Sequence, residues 1–453
     1  MKRFATSSPL LFLTMLLALT GAAMLGSCSS RQGDKILNAI PADAVSVSVV
    51  DLDRLADLGE TPSRLMLTRH LIPVTTGVAA NAVMPDGTTI GVAPAPAPDS
   101  LSAAGFKAAE AEGDLTPWTD ADGLTVVVDS RKGIAYTTAM SGPRALQLAT
   151  EIGEAAAKLP LSSLKGIADR FDVDANSGAP LYGAVSRTLF APSSASSSDP
   201  QAAQWLAYAI SEEGEYASVD VMLMEGSGKP VEIKGLQTVA PDFLRYVPAD
   251  MNVVVAAGLT PEIDWDAAGA LVAMVADKEL YTYIAAAEPY LKSIDGTVAI
   301  AFGVDKDAPG TPSGFFAMAR MERSKIQDFV KQAGMLAAMA GADFQPLGDN
   351  MARLSLPAIA GVPSEMYMGE VDGCLVISTF LPDGKASNSF APAMEGHDAA
   401  AVVRFAPGAF PATRSQVDFG VDLNVSLDGS QARARIAFPG SDRKPLAVLA
   451  DIF

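Results

Sequence analysis

The sequence predicts an α+β fold made of two homologous units, each an antiparallel sheet with helices packed on one face. Three observations lead to this prediction. The stretch from Ala203 to Leu223 alternates apolar and polar residues on either side of Glu213-Gly214, which indicates a two-stranded hairpin with one solvent-exposed face. Two segments with helical spacing of apolar residues follow strand-like stretches, and neighbouring hairpins and helices are typical of this class. The same short motifs also occur twice along the chain.

Length and charge limit the classes of protein to which the chain can belong. Its 453 residues allow two or three domains, and 49% hydrophobic with 19% charged residues exclude a disordered chain. The 33 basic and 52 acidic side chains give a net charge of −19, which argues against nucleic-acid binding. With 2 His and 2 Cys, a zinc cage would need all four to converge. We therefore expect no nucleic-acid partner, no metal and no cofactor.

The N-terminus has the layout of a signal peptide over residues 1–27. Lys2 and Arg3 precede an apolar stretch from Leu10 to Leu19, and small residues follow. Even extended to Leu25, the apolar stretch falls short of the ~20 residues that span a bilayer comfortably. Cleavage is therefore favoured over a retained membrane anchor.

The residues Leu25-Gly26-Ser27-Cys28 resemble the lipobox of bacterial lipoproteins. This resemblance implies a diacylglycerol on the sulfur of Cys28 and a fatty acyl group on its amine, so that the chain is held at a membrane through this lipid. Two or more acyl chains give stable anchoring, whereas one gives only marginal binding. The alternative is an ordinary signal peptide with an incidental cysteine.

Residues 28–35 are polar and indicate a short tether between the lipid and the folded body. Removing residues 1–27 leaves 31 of the 33 basic side chains against 52 acidic ones, a net charge of −21. An anionic bilayer would repel such a chain, so the lipid must hold it there. The residue after Cys28 is not Asp, and no run of acids follows, so we expect an outer-membrane anchor facing the periplasm.

Cys374 is the second of the two cysteines, and acylation of Cys28 leaves it without a disulfide partner. It lies in a turn that leads into an apolar strand, with no basic neighbour in sequence to lower the pKa of its thiol. We expect it to act as a small buried hydrophobe.

The sequence predicts an internal duplication, with one unit over residues 36–238 and a homologous unit over residues 239–453. Ile-Pro-Ala-Asp at 40–43 and Val-Pro-Ala-Asp at 247–250 each precede a Val-rich strand, at an offset of 207. Two further pairs follow in the same order: Ile134–Met140 with Phe315–Met321 at offset 181, and the hairpin around Glu213-Gly214 with the one around Asp428-Gly429 at offset 215. Three ordered matches favour duplication over coincidence.

A helix follows each member of the middle pair. One begins with Pro143, acceptable in a first helical turn, and should bury Ala145, Leu146, Ala149 and Ile152. The other begins at Ser324, with Gln327 completing a capping box. Its expected buried face consists of Ile326, Phe329, Val330, Ala333, Leu336 and Ala337.

The sequence carries none of the common catalytic motifs and one incomplete metal-binding pattern. The chain contains no Gly-x-Ser-x-Gly elbow, phosphate-binding loop or His-Glu-x-x-His, and His70 and His397 occupy unmatched places in the two copies. Asp172–Asn176 alternates oxygen ligands as a calcium loop does, but Ser177 replaces the required Gly and Gly183 the bidentate Glu. An Asx-rich turn is the favoured interpretation there.

The remaining candidate residues have simpler structural explanations. Asp51 and Asp53, like Asp264 and Asp266, follow a strand and are expected to cap the next helix rather than act as acid and base. Core positions are expected for two groups: the tryptophans Trp118, Trp205 and Trp265, and the Met-rich segment from Met335 through Met339.

The lipobox, the Ile-Pro-Ala-Asp-Ala start and the inexact second copy from Val247 together resemble a Bacteroidetes-type family of duplicated envelope lipoproteins, classed as a domain of unknown function. This resemblance implies a lipid-anchored, non-enzymatic protein with no assigned catalytic residue. We expect a binding or scaffolding role toward an envelope protein or glycan, with Cys28 as the lipid anchor. The alternative is a carboxylate-dependent envelope hydrolase acting on glycans, since such a site needs only two acids.

Overall fold

The computed structural model describes residues 35–57, 75–190, 204–262, 290, 292–304, 312–339, 341–348, 350–355, 364–382, 399–406 and 419–452. These residues belong to two compact units. The described residues from 35 to 232, together with those from 443 to 452, form the first unit, and the described residues from 233 to 442 form the second unit. Within the described ranges, no helix combines the length and apolar character needed to cross a bilayer.

The described part of the first unit is built on ten antiparallel strands. Their order across the sheet is β10-β9-β8-β1-β2-β3-β7-β6-β5-β4. The strands are β1 Ser46–Asp51, β2 Val78–Val83, β3 Thr89–Pro94, β4 Lys107–Ala108, β5 Leu115–Thr119, β6 Thr125–Asp129, β7 Ile134–Thr138, β8 Leu181–Ser186, β9 Trp205–Glu213 and β10 Tyr216–Met224. Many of these strands carry Val or Ala on both faces, so both faces of the sheet are largely buried.

Six helices belong to the first unit in the described ranges. They are α1 Leu52–Asp57, α2 Pro98–Ala103, α3 Pro143–Lys158, α4 Lys165–Asn176, α5 Arg187–Phe190 and, at the chain end, α7 Pro445–Ile452. The expectation for α3 is confirmed, because Pro143 lies in its first turn and Ala145, Leu146, Ala149 and Ile152 are buried. These side chains share one core with Val47 and Val49 of β1.

The second unit contains eleven strands in the described ranges. They are β11 Leu236–Gln237, β12 Val253–Leu259, β13 Ile294–Val304, β14 Pro312–Met321, β15 Asp343–Leu347, β16 Met351–Ser355, β17 Glu365–Val371, β18 Cys374–Ser378, β19 Ala399–Phe405, β20 Val421–Asp428 and β21 Gln431–Ala437. One long helix, α6 Arg323–Met339, lies between β14 and β15. It begins one residue before the predicted Ser324, with the carbonyl of Glu322 accepting the first helical bonds.

Both units use the same order of strand pairs. In the second unit the order is β21-β20-β19-β12-β13-β14-β18-β17-β16-β15, and β11 adds a short pair with β12. The Val-rich strands at offset 207, β1 and β12, hold matching central positions. The two hairpins at offset 215, β9-β10 and β20-β21, hold matching positions at one edge of their units.

The middle pair of the predicted repeat is wrong. Ile134–Met140 forms β7, whereas Phe315–Met321 lies in β14, whose place in the pairing order corresponds to β3. Accordingly α6 follows the counterpart of β3 and α3 follows β7, so these two helices are not equivalent. Both segments are strands that lead into a helix, and the sequence comparison was misled by that local likeness.

The predicted α+β class, with helices packed on one face, is also wrong. The chain is mainly antiparallel sheet with few helices, and three helices of twelve residues or more stand beside 21 strands in the described ranges. The sequence under-predicted strands because many are only five or six residues long and rich in Ala and Gly. A short strand buried on both faces shows no alternation of apolar and polar residues.

The predicted hairpin around Glu213-Gly214 is confirmed as β9 and β10, with Glu213 paired to Tyr216 and Gly214 at φ 64°. The prediction that one face of this hairpin is exposed to solvent is wrong, because Tyr208 and Ala209 point to opposite faces and both are buried. The chain end contributes here, since α7 lies against β9 and β10 and Lys444 pairs with Glu212 at 3.8 Å. The repeat had placed that end in the second unit.

Candidate functional site

Several residues singled out in the sequence lie outside the described residues. The predicted anchor Cys28, with the whole of the predicted signal peptide, is among them, so acylation stays a prediction. The others are His70, His397, Trp265, Asp264 and Asp266. The candidate site is therefore built from the body of the chain.

The segment Asp172–Asn176 is neither a calcium loop nor an Asx-rich turn, because it forms the last residues of α4. In a helix, residues two apart point to different sides, so its alternating oxygens do not converge. Asp174 is 2% exposed and binds Arg170 of the preceding turn, with N–O distances of 2.7 and 2.9 Å. In the described ranges, no three His, Cys, Asp or Glu side chains come together as metal ligands would.

Asp174 is the acid that comes nearest to the properties of a hydrolase acid. Burial raises the pKa of Asp174 to about 7, opposed by Arg170 and assisted by Asp220. A general acid must also reach its substrate. Asp174 instead lies between α4 and β10, where Arg170 also contacts the Met222 sulfur at 4.0 Å. This arrangement is a buried ion pair that joins a helix to the sheet.

Asp51 caps a helix, as predicted. Its Oδ1 accepts the backbone N–H of Arg54 at 3.0 Å in the first turn of α1, and its Oδ2 lies 3.3 Å from the Arg54 guanidinium. Asp53 has a different role from the one expected. It accepts the backbone N–H of Gly77 at 3.0 Å and so fixes the entry into β2.

Cys374 is buried and free, as predicted. Burial raises the pKa of its thiol to about 11, although Arg320 and Arg245 act in the opposite direction. Its side chain belongs to the core cluster of the second unit. A thiol in this environment is a packing residue rather than a nucleophile.

The tryptophans that can be placed, Trp118 and Trp205, are both partly buried, and Trp205 packs against the core of the first unit. The Met-rich segment of α6 is different, and its predicted core position is wrong. Met335 is 54% exposed, Leu336 64% and Met339 85%, whereas Ile326 and Ala337 of the same helix are buried. We call these three exposed residues the α6 ridge.

A second unexpected feature is a strip of polar and glycine residues across the sheet of the first unit. Val47 and Val49 of β1 point into the helix-lined core, so Ser48 between them points to the opposite face. Residues paired across antiparallel strands point to the same face. The pairings therefore put one row on this face, which we call the polar row: Tyr208, Gly183, Ser48, Asn81, Gly91 and Thr137.

The glycines of the polar row let the longer side chains lie flat across the sheet. The Tyr208 hydroxyl crosses Gly183 and forms a 2.7 Å hydrogen bond with the Ser48 hydroxyl. A Cβ at Gly183 would lie only 2.3 Å from that Tyr208 oxygen. On the other side, a Cβ at Gly91 would lie 2.2 Å from Thr137 Oγ1. Glycine is thus required sterically at both positions.

Asn81 lies at the centre of the polar row and is 2% exposed. Among the residues that the structure describes, neither its amide oxygen nor its amide nitrogen has a hydrogen-bond partner. A buried polar group without a partner is costly, on the order of 1–3 kcal/mol, and is uncommon in native proteins. The polar row therefore holds an unused donor and acceptor.

The second unit replaces the polar row with apolar residues. Val255, Ile300, Ala317 and Ile377 are paired in sequence across β12, β13, β14 and β18 at the matching places. Ile300 is 37% exposed. The two units therefore share a strand order but present different chemistry on this face. Sequence reasoning missed the row because its members are far apart in the chain; the one local signal was Ser46 and Ser48 within a Val-rich strand.

No family model matches the chain, and no curated protein matches it. Among solved structures, crystal forms of TP0453 are similar over part of the chain. Form I aligns with a TM-score of 0.27 at 9% identity, covering 43% of this chain and 80% of that one. Form IV gives a TM-score of 0.28 at 8% identity over 43% and 83%. At these TM-scores the likeness supports no conclusion about fold or function.

Proposed function

We propose that this chain is a lipid-anchored protein of the bacterial cell envelope with a binding or scaffolding role. The single observation that carries the proposal is Cys28, placed directly after Leu-Gly-Ser at the end of the apolar stretch. The resemblance to duplicated envelope lipoproteins agrees with it. The expected site is the outer membrane, with the acidic body facing the periplasm and anchored there by the lipid.

The described body supports a binding role in two ways. The two units repeat one strand order while differing in the polar row, which is typical of copies that have diverged toward different contacts. In addition, the α6 ridge leaves three large apolar side chains in solvent, an exposed patch of the kind that contacts another surface. The partner is an envelope protein or glycan. We propose a non-enzymatic role, because Asp174, the buried acid nearest to a catalytic pKa, is bound by Arg170.

The anchor is tested by expressing the full chain and its Cys28→Ala variant in a bacterial host supplied with radiolabelled palmitate. We expect labelling of the unsubstituted chain and recovery in the membrane fraction, and neither for the variant. Cys374→Ala is the matched control and should be labelled like the unsubstituted chain. Palmitate that persists on the Cys28→Ala variant would overturn the proposal.

The binding role is tested by chemical cross-linking of the anchored chain in intact envelopes, with mass spectrometry of the captured proteins and glycans. A partner cross-linked to the anchored chain but absent from the Cys28→Ala sample supports a scaffold at the membrane. Release of reducing sugar from envelope glycans by the purified chain, lost on substitution of an acid, would instead establish the hydrolase.

A further inference from the structure

The α6 ridge is unusual because an amphipathic helix normally turns such residues inward. On the inner side of α6, Ile326 and Ala337 are buried, and Gly334 lies so close to the Phe344 ring that a Cβ there would be 3.0 Å from it. The helix is therefore firmly seated against β15. Met335 and Met339 lie one turn apart on the outer side with Leu336 beside them, so the three form one continuous apolar end.

The size of the α6 ridge bears on what could cover it. A fully buried Leu or Met side chain removes about 100 Å² of apolar surface from water, so three together offer at most about 300 Å². A stable protein interface needs about 800 Å² on each partner. A second copy or a protein partner would therefore need much more surface than the ridge provides. A surface to which the chain is already tethered would not need this additional contact area, because tethering raises the effective concentration of the ridge at that surface to about the millimolar range.

The charges next to the α6 ridge indicate what kind of surface this is. Lys331 lies one turn before Met335, and Lys325 lies further back on the same side; both are exposed. Asp328 is the acid between them, so this side of the helix is net positive in a chain of net charge −19. Apolar residues flanked by lysines are typical of helices that lie at an anionic lipid interface, where the lysine stems reach toward phosphate.

We propose that the α6 ridge docks on the bilayer that carries the lipid anchor, with Met335, Leu336 and Met339 entering the headgroup region and Lys331 facing lipid phosphate. The second unit is then held at the membrane surface instead of moving freely on its tether. This inference rests on the proposed function only for the presence of a tether at residue 28.

The test supplies that tether chemically, so its result does not depend on acylation in cells. The unacylated chain from residue 28 is coupled through Cys28 to a maleimide lipid in vesicles of phosphatidylethanolamine and phosphatidylglycerol. Cys374 is buried and its thiol has a pKa raised to about 11, so coupling is selective. A tryptophan probe is introduced by Met339→Trp, and the matched control is Leu381→Trp, at another exposed apolar position of the second unit.

Fluorescence is compared in vesicles with and without bromine on the acyl chains, relative to the unsubstituted chain. We expect bromine to quench the probe at 339 and not the probe at 381. Adding Met335→Gln and Leu336→Gln should lower the docked-to-undocked ratio by about tenfold or more. Circular dichroism checks that each variant is folded.

Two results would overturn the proposal. One is equal quenching at 339 and 381. The other is a blue-shifted probe at 339 that bromine does not quench and that depends on protein density, which would assign the α6 ridge to contact between copies. Failure of palmitate labelling at Cys28 alongside quenching at 339 would overturn the anchor and leave the docking surface in place.

Discussion

The hydrogen bond between Tyr208 and Ser48 should behave as a coupled pair in the free energy of unfolding of the first unit. Both hydroxyls are buried, and the oxygen atoms are 2.7 Å apart across Gly183. Tyr208→Phe leaves the Ser48 hydroxyl without this partner, and Ser48→Ala does the same to Tyr208. Each substitution removes this hydrogen bond from the buried interior and should cost about 1–3 kcal/mol. The double substitution removes both groups and should cost less than the sum by a similar amount.

The assay is urea unfolding followed by tryptophan fluorescence in a Trp265→Phe background, so that Trp118 and Trp205 report the first unit alone. This choice matters because two units can unfold in separate transitions. With an m value of about 2 kcal/mol/M, a cost of about 1–3 kcal/mol corresponds to a fall in the urea midpoint of about 0.5–1.5 M. The reasoning is refuted if the double variant loses the sum of the two single losses, because the hydroxyls would then act independently.

Three further predictions concern the first unit and the buried thiol. Gly91→Ala should destabilise the first unit by about 1–3 kcal/mol through contact with Thr137 Oγ1. The control Gly226→Ala, where the added methyl group would make ordinary contacts only, should leave the urea midpoint of the first unit unchanged, and equal effects of the two substitutions would contradict the steric argument. Burial raises the pKa of Asp174 to about 7, above that of an aspartate in the unfolded chain, so its stabilising contribution is fully present below about pH 4 and is lost as pH rises through 7. Asp174→Asn, which resembles the protonated carboxyl, should therefore gain stability relative to the unsubstituted chain as the pH rises from about 4 to 8, and the opposite trend would show that Arg170 keeps the carboxyl ionised. In a Cys28→Ser chain, Cys374 should be unreactive toward a thiol reagent at pH 8 until urea unfolds the second unit, because a pKa of about 11 leaves about one thiolate in a thousand. Fast labelling of the folded chain would contradict the burial of this thiol.

Local patterns were predictable from sequence wherever neighbouring residues determine the outcome. The turn at Gly214, the buried side of α3 and the cap at Asp51 each depend on residues within a few positions of one another. Capping and hairpin turns are short-range geometry, so their residue types and spacings are visible in one dimension.

What depends on pairing between distant strands could not be predicted in this way. The polar row joins Ser48 to Asn81 and Tyr208 only through register, which no local spacing encodes. The core position predicted for the residues of the α6 ridge was wrong for a related reason. Helical spacing shows which residues share a face, but the sheet decides which face turns inward, and α6 packs with Ile326 and Ala337 rather than Leu336.

The position of α7 has a consequence for when the molecule can fold. Leu446, Val448 and Leu449 are buried within the first unit, although the whole of the second unit, residues 233–442, lies between them and the rest of that unit in the chain. The first half of the chain therefore cannot complete its fold while the second half is still being made. Deleting α7 should accordingly destabilise the first unit, whose other elements all precede the second unit in the chain.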